Sequence, residues 1–306
     1  MAAVYNSLLD AIGNTQLVKV NFDSPAQIYA KLEYLNPSGS IKDRSAKYMI
    51  EKAEKSGLLK PGGTVIEASS GNQGITTAMI AAIKGYKAII TVSEKVSSEK
   101  KAALKAYGAE IVICPPTTFV NDPKGYHAVA MRIQKETPNS YILNQYFNLD
   151  NREGHYLHLG PELWKQTNGK ITHFCGAVGT GGTVSGAGKF LKEQNKDIVI
   201  LGVDSPNSYR STNGNPKPYA IEGMGVDFDA PNIDNTIINE YLTTGDEDAI
   251  AMLKHLAHRH GFLVGPASGA VAHAVQNYAK KLTKDDMLVM VFGDSGRAYL
   301  TKGFYG

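Results

Sequence analysis

The sequence predicts an α/β protein of two lobes, each a three-layer αβα stack built on a mostly parallel sheet. Three observations lead there. Strand-like runs alternate with helical runs along the 306 residues, the pattern of parallel strands with helices on their faces. The run Ile75-Thr-Thr-Ala-Met-Ile-Ala-Ala-Ile83 has almost no polar face, and a helix that is apolar all round lies buried between other elements. Glycine is abundant, 31 of 306, and it gathers where strands give way to helices.

The elements follow in order. A strand is expected over 27–33, a helix over 43–56 that stops at Gly57, and a strand over 64–68. After the cluster Ser69-Ser-Gly-Asn-Gln-Gly74 an apolar helix runs to about Lys84 and ends at Gly85. A strand over 87–92 precedes a helix capped by Ser97 or Ser98 that runs to Tyr107 and stops at Gly108. The strand 110–114 is closed by Pro115-Pro116. A helix over 123–136, a strand over 140–143 and a helix over 151–166 come next. Then follow a strand over 172–177, a glycine loop, a helix over 183–194 and a strand over 198–203. The last third gives helices over 246–260 and 268–281 and a strand over 287–292. Ligands in such sheets bind beyond the carboxyl ends of the strands.

Composition narrows the function. The chain carries 32 Lys+Arg against 29 Asp+Glu, a net charge of +3, too small for a nucleic-acid stripe or an anionic membrane partner. No apolar run approaches about 18 residues, so a membrane span is not expected. The first residues lack the basic start and apolar stretch of a secretory signal. Cys114 and Cys175 are the only cysteines, both in apolar strands. They suit a core in a reducing cytoplasm better than a disulfide framework or a zinc knuckle.

Three loops carry the chemistry. Gly179-Thr-Gly-Gly-Thr183 joins a strand to a helix, so backbone N–H groups and two hydroxyls converge at the positive end of a helix dipole. That is a phosphate cradle. The dinucleotide fingerprint fails because Val184 holds its third glycine position, and the P-loop fails because Phe190 follows Gly188-Lys189. A smaller phosphate is favoured. Ser69-Ser70-Gly71-Asn72-Gln73-Gly74 offers a second set of donors at a helix start, suited to a carboxylate or phosphate. Lys42 stands just past the turn-rich Asn36-Pro-Ser-Gly-Ser-Ile41. A desolvated lysine amine is a nucleophile toward carbonyl groups, although one lysine among many is ordinarily a solvated surface charge.

Taken together, Pro37-Ser-Gly-Ser-Ile-Lys-Asp-Arg44, Glu67-Ala-Ser-Ser-Gly-Asn-Gln-Gly74 and Gly179-Thr-Gly-Gly-Thr183 resemble the pyridoxal-phosphate enzymes of fold type II. Their fold is that of the tryptophan synthase β subunit. Within them the resemblance is to the cysteine synthase and cystathionine β-synthase group. It extends from Ser7-Leu-Leu-Asp-Ala-Ile-Gly-Asn-Thr15 to Asp294-Ser-Gly-Arg-Ala-Tyr-Leu300. It implies a smaller, mobile, substrate-binding lobe over 41–146 and a larger cofactor-binding lobe over 1–40 and 147–306.

Roles follow by resemblance. Lys42 would carry pyridoxal 5'-phosphate as a Schiff base and later move the substrate α-proton. Asn72 would bond the cofactor ring hydroxyl, and Gly179, Thr180, Gly181, Gly182 and Thr183 would hold its phosphate. Ser69, Ser70, Gly71, Asn72 and Gln73 would bind the substrate carboxylate, with Gln145 and Gly223 completing the pocket. Ser268, Asp294 and Ser295 would complete the cofactor site. Glu222-Gly-Met-Gly-Val-Asp-Phe228 and the end of the chain lean toward cystathionine β-synthase, as a catalytic core without a haem segment or regulatory module. A cytoplasmic homodimer is implied, with small amino-acid substrates and no metal.

Some positions depart from the family. Gln73 replaces a threonine, Val226 a tyrosine and Gly293 a proline. In Gly265-Pro-Ala-Ser-Gly269, Ala267 holds the register of the serine that donates to the cofactor ring nitrogen, and Ser268 lies one residue on. The expected activity is β-replacement on serine or an activated serine: serine with homocysteine, O-acetylserine with sulfide, or an activated serine with an amine as in siderophore precursor synthesis. Deamination follows if no nucleophile is trapped. A non-catalytic paralogue is the competing class. A serine hydrolase, suggested by Gly293-Asp-Ser-Gly296, belongs to an all-β fold and is disfavoured. Metal binding at His255, His258 and His260, or at His155 and His158, competes with the ordinary preference for cations near a helix C-terminus. Lys42→Ala is expected to abolish both turnover and the visible absorbance of the cofactor-loaded protein. A band that survives dialysis and borohydride in that variant would reject the assignment.

Overall fold

The computed structural model describes residues 4–69, 71–116 and 122–306. β1 (Leu17–Lys19) pairs antiparallel with β2 (Gln27–Leu32). α1 (Lys42–Lys55) follows the turn-rich loop and gives way at Gly57, whose φ is +75°. β3 (Thr64–Ala68) leads into α2 (Asn72–Lys84), which Gly85 ends at φ +75°. β4 (Lys87–Ser93) is followed by α3 (Ser98–Ala106), capped by Ser97 Oγ, which accepts from the Lys100 N–H at 3.3 Å. β5 (Glu110–Cys114), α4 (Tyr126–Glu136) and β6 (Ser140–Ile142) come next.

α5 (Asp150–Gly154) passes through one π turn, His155–Leu159, into α6 (Gly160–Gln166), so the single helix expected over 151–166 carries an irregular middle. β7 (His173–Ala177), α7 (Gly182–Gln194), β8 (Val199–Asp204) and β9 (Glu240–Thr243) follow. α8 (Asp246–His260), α9 (Pro266–Tyr278), β10 (Met287–Phe292) and a 3₁₀ segment, Gly296–Lys302, end the chain. α9 starts two residues before the expected 268. Gly265 precedes it and Pro266 takes its first position, where a missing N–H costs nothing.

The chain divides into two compact units. One comprises Met1–Ile12 and Asn36–Asp150. Its four parallel strands run in the order β5-β4-β3-β6. Alternation along β3 decides the layers. Val65 packs with Met79 and Ile80 of α2 and with Ala46, Met49 and Ile50 of α1. Ile66 and Ala68 point the other way, against Ala130 of α4. The helix expected to be buried on all sides is so over Thr76 to Ala81, whereas Ala82 and Ile83 in its last turn are exposed.

The other unit comprises Gly13–Leu35 and Asn151–Gly306. Its six strands run in the order β1-β2-β10-β7-β8-β9, all parallel except the β1–β2 pair. Leu253 and Leu256 of α8 and Val271 and Val275 of α9 pack with Ile28, Leu201 and Met290 on one sheet face. α6 and α7 serve the other face, where Gly176 meets Val184. Cys114 and Cys175 are both buried and unbridged. Among the described residues no helix is long and apolar enough to cross a membrane.

Small residues let α7 approach the irregular helix before it. A Cβ on Gly182 would lie 2.4 Å from Asn151 Oδ1, and one on Gly186 would lie 2.2 Å from the Arg152 carbonyl oxygen. Gly186→Ala therefore forces backbone apart, and it is expected to destabilise the protein by about 1–3 kcal/mol. Chemical denaturation against the wild type measures this, and an unchanged midpoint would contradict the close packing.

Candidate active site

Lys42 is the first residue of α1 and is partly buried. What fixes it is its neighbour. The Asp43 carboxylate, fully buried, accepts from the Ser38 N–H at 2.8 Å, from the Ser38 hydroxyl and from Thr76 Oγ1 at 2.7 Å. Hydrogen bonds to a charged acceptor are worth about 1.5–3 kcal/mol each. Three of them pin the loop before Lys42 to α2, one turn past Asn72. The sequence reading missed Asp43, and its place directly after Lys42 in the first turn of a helix was the available signal.

Lys31 is a useful contrast. It is fully buried, yet its ammonium donates to the Thr15 carbonyl at 2.6 Å, to Gln166 Oε1 at 2.8 Å and to the Glu162 carboxylate. Three donors meet three acceptors, so Lys31 is a structural cation.

In the same unit, Asn72 opens α2 behind Gly71, with no side chain capping the helix. Ser69 Oγ accepts from the Gly71 N–H at 3.2 Å. Gly74 cannot be larger, because its Cβ would lie 2.7 Å from the Ser69 carbonyl oxygen. Gln73 is buried, and both polar atoms of its amide lack a partner among the described residues. Gln145 is buried in the turn after β6. Ser70 lies outside the described residues.

In the other unit, the loop 179–181 leaves β7 and starts α7, again without a side-chain cap. Gly181 sits at φ +86°, and a Cβ there would come within 2.4 Å of Ile233. A Cβ on Gly179 would lie 2.7 Å from the Gly223 carbonyl oxygen. The Gly225 N–H donates to the Val178 carbonyl at 2.9 Å, so the Glu222–Phe228 segment runs against the loop. Thr180 Oγ1 accepts from Asn151 Nδ2 at 3.1 Å, and Thr183 Oγ1 lies 3.4 Å from His155 Nε2. Asn151 and His155 stand behind the loop; Asn151 carries no motif, and His155 stands out in the sequence only as a metal candidate with His158. The π turn that presents His155 is a feature frequent at functional sites.

Gly223, at φ +87°, faces Ala267, whose Cβ lies 3.4 Å from where its own would be. Ser268 is buried, and its Oγ accepts from the Gly293 N–H at 3.1 Å, which leaves the hydroxyl proton to donate elsewhere. Asp294 Oδ2 accepts from the Tyr299 hydroxyl at 2.5 Å. Ser295 Oγ accepts from the Arg297 N–H at 3.3 Å and caps the terminal 3₁₀ segment. Helix starts without caps leave N–H groups for an anion. With an amine fixed at another helix start, these parts suit a phosphate, a carboxylate and a carbonyl group.

The family of pyridoxal-phosphate dependent enzymes matches residues 8–294. The chain belongs to this family. It is 42% identical over 304 residues to the cystathionine β-synthase of Apis mellifera, covering 96% of this chain and 60% of that protein. It is 40% identical over 305 residues to a cysteine synthase of Staphylococcus aureus, covering 98% and 97%. The solved O-acetylserine dependent cystathionine β-synthase of Helicobacter pylori superposes with a TM-score of 0.93 at 34% identity, covering 99% of this chain and 100% of that one. A hydrogen sulfide-producing enzyme of Fusobacterium nucleatum gives 0.92 at 35% identity, covering 98% and 99%. The chain spans about 60% of the length of the cystathionine β-synthase from the honey bee. It has the α/β fold with parallel sheets that its structural neighbours share.

Among the described residues, one buried acid has no hydrogen-bond partner. Glu67 of β3 is fully buried, and burial pushes its carboxyl up to about 8 from an ordinary 4.5. The native protein keeps a proton there that the unfolded chain has lost above 4.5. Stability is therefore expected to fall as pH rises from about 4.5 to about 8. Glu67→Gln cannot titrate and flattens this part of the profile. Urea unfolding at about pH 5 and about pH 9 measures it, and equal slopes in both proteins would contradict the shift.

Proposed function

We propose that the enzyme catalyses β-replacement on an amino acid of the serine type, in which the β-substituent leaves and a thiol or sulfide takes its place. The observation that carries the reading is the Asp43–Thr76 hydrogen bond, 2.7 Å long. It ties the residue next to Lys42 to α2, one turn past its donor-rich start, within one compact unit. An amine for the cofactor and a nest for an amino-acid carboxylate are what this chemistry needs side by side. The named activities of the relatives support the same reading.

The residues fit pyridoxal phosphate. In the 179–183 loop, glycine is required at three positions where any Cβ would strike the protein itself. The loop thus offers backbone N–H groups, with the hydroxyls of Thr180 and Thr183, to a phosphate ester, although the Gly182 N–H also donates to Thr180 Oγ1 at 3.4 Å. Asn72 serves the ring hydroxyl, and Ser268, Asp294 and Ser295 lie on the segments proposed to finish the cofactor site. When bound, the cofactor supplies an electron-poor ring that stabilises negative charge on the substrate α-carbon.

Lys42 would hold the cofactor through Nζ, and the same nitrogen would take the proton from the substrate α-carbon and later return it there. Ser69, Ser70, Gly71, Asn72, Gln73 and Gln145 bind the substrate carboxylate, and Gly223 leaves room beside the phosphate loop. The leaving group departs from the β-carbon with its bonding pair, and the incoming sulfur supplies the pair of the new bond. Two buried, unbridged cysteines agree with a reducing cytoplasm, and we place the enzyme there as a homodimer.

A substrate panel tests the reading. Serine, O-acetylserine and O-phosphoserine are each paired with sulfide, homocysteine and glutamate, and products are read by mass spectrometry. At least one sulfur nucleophile is expected to give a β-substituted product. Product with glutamate alone would favour an amine nucleophile. A cofactor band that ignores every amino acid would favour the non-catalytic paralogue that Ala267 and Gln73 permit.

A further inference from the structure

Asn151 has no part in the reaction steps proposed above, yet it is a polar side chain only 1% exposed. It stands in the first turn of α5. A buried amide persists where it makes hydrogen bonds, and one bond of this amide reaches the loop proposed to hold the phosphate. Asn151 Nδ2 donates to Thr180 Oγ1 at 3.1 Å. A threonine hydroxyl has two lone pairs and one proton. At Thr180 one lone pair takes the Asn151 amide and the other takes the Gly182 N–H, at 3.4 Å. Both partners are donors that cannot accept in return, so the Thr180 proton leaves in a third direction. Among the described residues no acceptor takes it. A buried hydroxyl with an unused proton is a donor held ready for an anion.

The amide is held in place from several sides. A Cβ on Gly182 would lie 2.4 Å from Asn151 Oδ1 and 2.7 Å from its Cγ, so the amide fills the space that a side chain at 182 would need. The next residue, Arg152, donates through Nη1 to Asp234 Oδ2 at 3.1 Å. The Asp234 N–H in turn donates to Ser185 Oγ of α7 at 2.9 Å. Ile233, beside Asp234, closes on Gly181. The turn that carries Asn151 is thereby clamped to the loop and to the helix that follows it. His155 differs. Its Nε2 lies 3.4 Å from Thr183 Oγ1, and an imidazole nitrogen can donate or accept, so it fixes no direction for that proton. Asn151 does.

We propose that Asn151 is a positioning residue: by donating to Thr180 Oγ1 it turns the threonine proton toward the phosphate of the cofactor. The inference rests on the phosphate-holding role proposed above for residues 179–183. No proton is transferred. The amide gives one hydrogen bond to the hydroxyl, and the hydroxyl gives another to the anion. Successive hydrogen bonds polarise one another, so loss of the amide both weakens the threonine's bond and frees its rotation.

A double-mutant cycle on the whole chain, stripped of cofactor, tests it, with the Kd for pyridoxal phosphate read by absorbance. Asn151→Ala is expected to raise Kd about tenfold, the loss of one oriented bond to a charged group. In a Thr180→Val background the same change is expected to cost less than about twofold, because the hydroxyl it acts on is gone. Equal factors in the two backgrounds would make Asn151 a structural residue and overturn the proposal. An unchanged or tighter Kd in Asn151→Ala would mean that the amide takes the threonine proton for itself, and would overturn it too. Pyridoxal, which lacks the phosphate, is the second probe. Its uptake is expected to be equal in Asn151→Ala and the wild type, and a loss as large as that for pyridoxal phosphate would contradict an action through the phosphate. If Asn151→Ala does not fold, Asn151→Asp takes its place in the cycle. The carboxylate, of nearly the same size, can only accept and draws the threonine proton to itself. Its factor in the wild type is expected to exceed its factor in Thr180→Val, where its charge alone acts, and equal factors would again overturn the proposal. A wild type that binds inorganic phosphate but not pyridoxal phosphate would defeat the proposed function, and the cycle is then read with phosphate. A wild type that binds neither would overturn both.

Discussion

β3 and β7 each have to hand the chain to a helix within three or four residues, and neither handover uses a side-chain cap. Of the other helices, α3 is capped by Ser97, whereas α1, α4, α8 and α9 also start without a side-chain cap; what sets these two starts apart is the tightly packed glycine at them. At these two ends the N–H groups are left to point outward from the carboxyl edge of a sheet. A helix start with unsatisfied donors is unfavourable in isolation, and it becomes favourable when an anion arrives. The rest of the structure keeps side chains away from these ends.

Glycine does that work through contact rather than flexibility alone. Gly181 needs its positive φ, but Gly179 and Gly182 are held to glycine by the Gly223 carbonyl and by Asn151. Gly74 is held in the same way by the Ser69 carbonyl. The buried Asp43 then converts a loop into a fixed point, because Ser38 and Thr76 share its carboxylate. Lys31 is fully buried and saturated by the protein, and Lys42, partly buried, opens a helix beside a clamped acid.

Much of this was legible in the sequence, and the failures have physical causes. The central strands β3, β4, β7, β8 and β10 are apolar and bounded by turn residues, and Gly57, Gly85 and Gly108 stop helices with φ near +75°. β1 and β9 left no pattern. They are the edges of the six-stranded sheet, short and half exposed, so neither alternation nor an apolar run develops. The start of α9 was misread because Ser268 looks like a cap, while Pro266 fills the first turn. The motif residues were legible because they are adjacent in the chain. Asp43 and Asn151 were missed, and His155 was weighed only as a metal ligand, because their partners lie far away in sequence: Thr76, Thr180 and Thr183.

The account turns on Lys42, and one measurement reaches it directly. The protein saturated with pyridoxal phosphate is reduced with borohydride, digested, and its peptides weighed. The account predicts a pyridoxyl adduct on the peptide that contains Lys42 and on no other. An unmodified Lys42 in fully loaded protein, with the label on another lysine or on none, would contradict it.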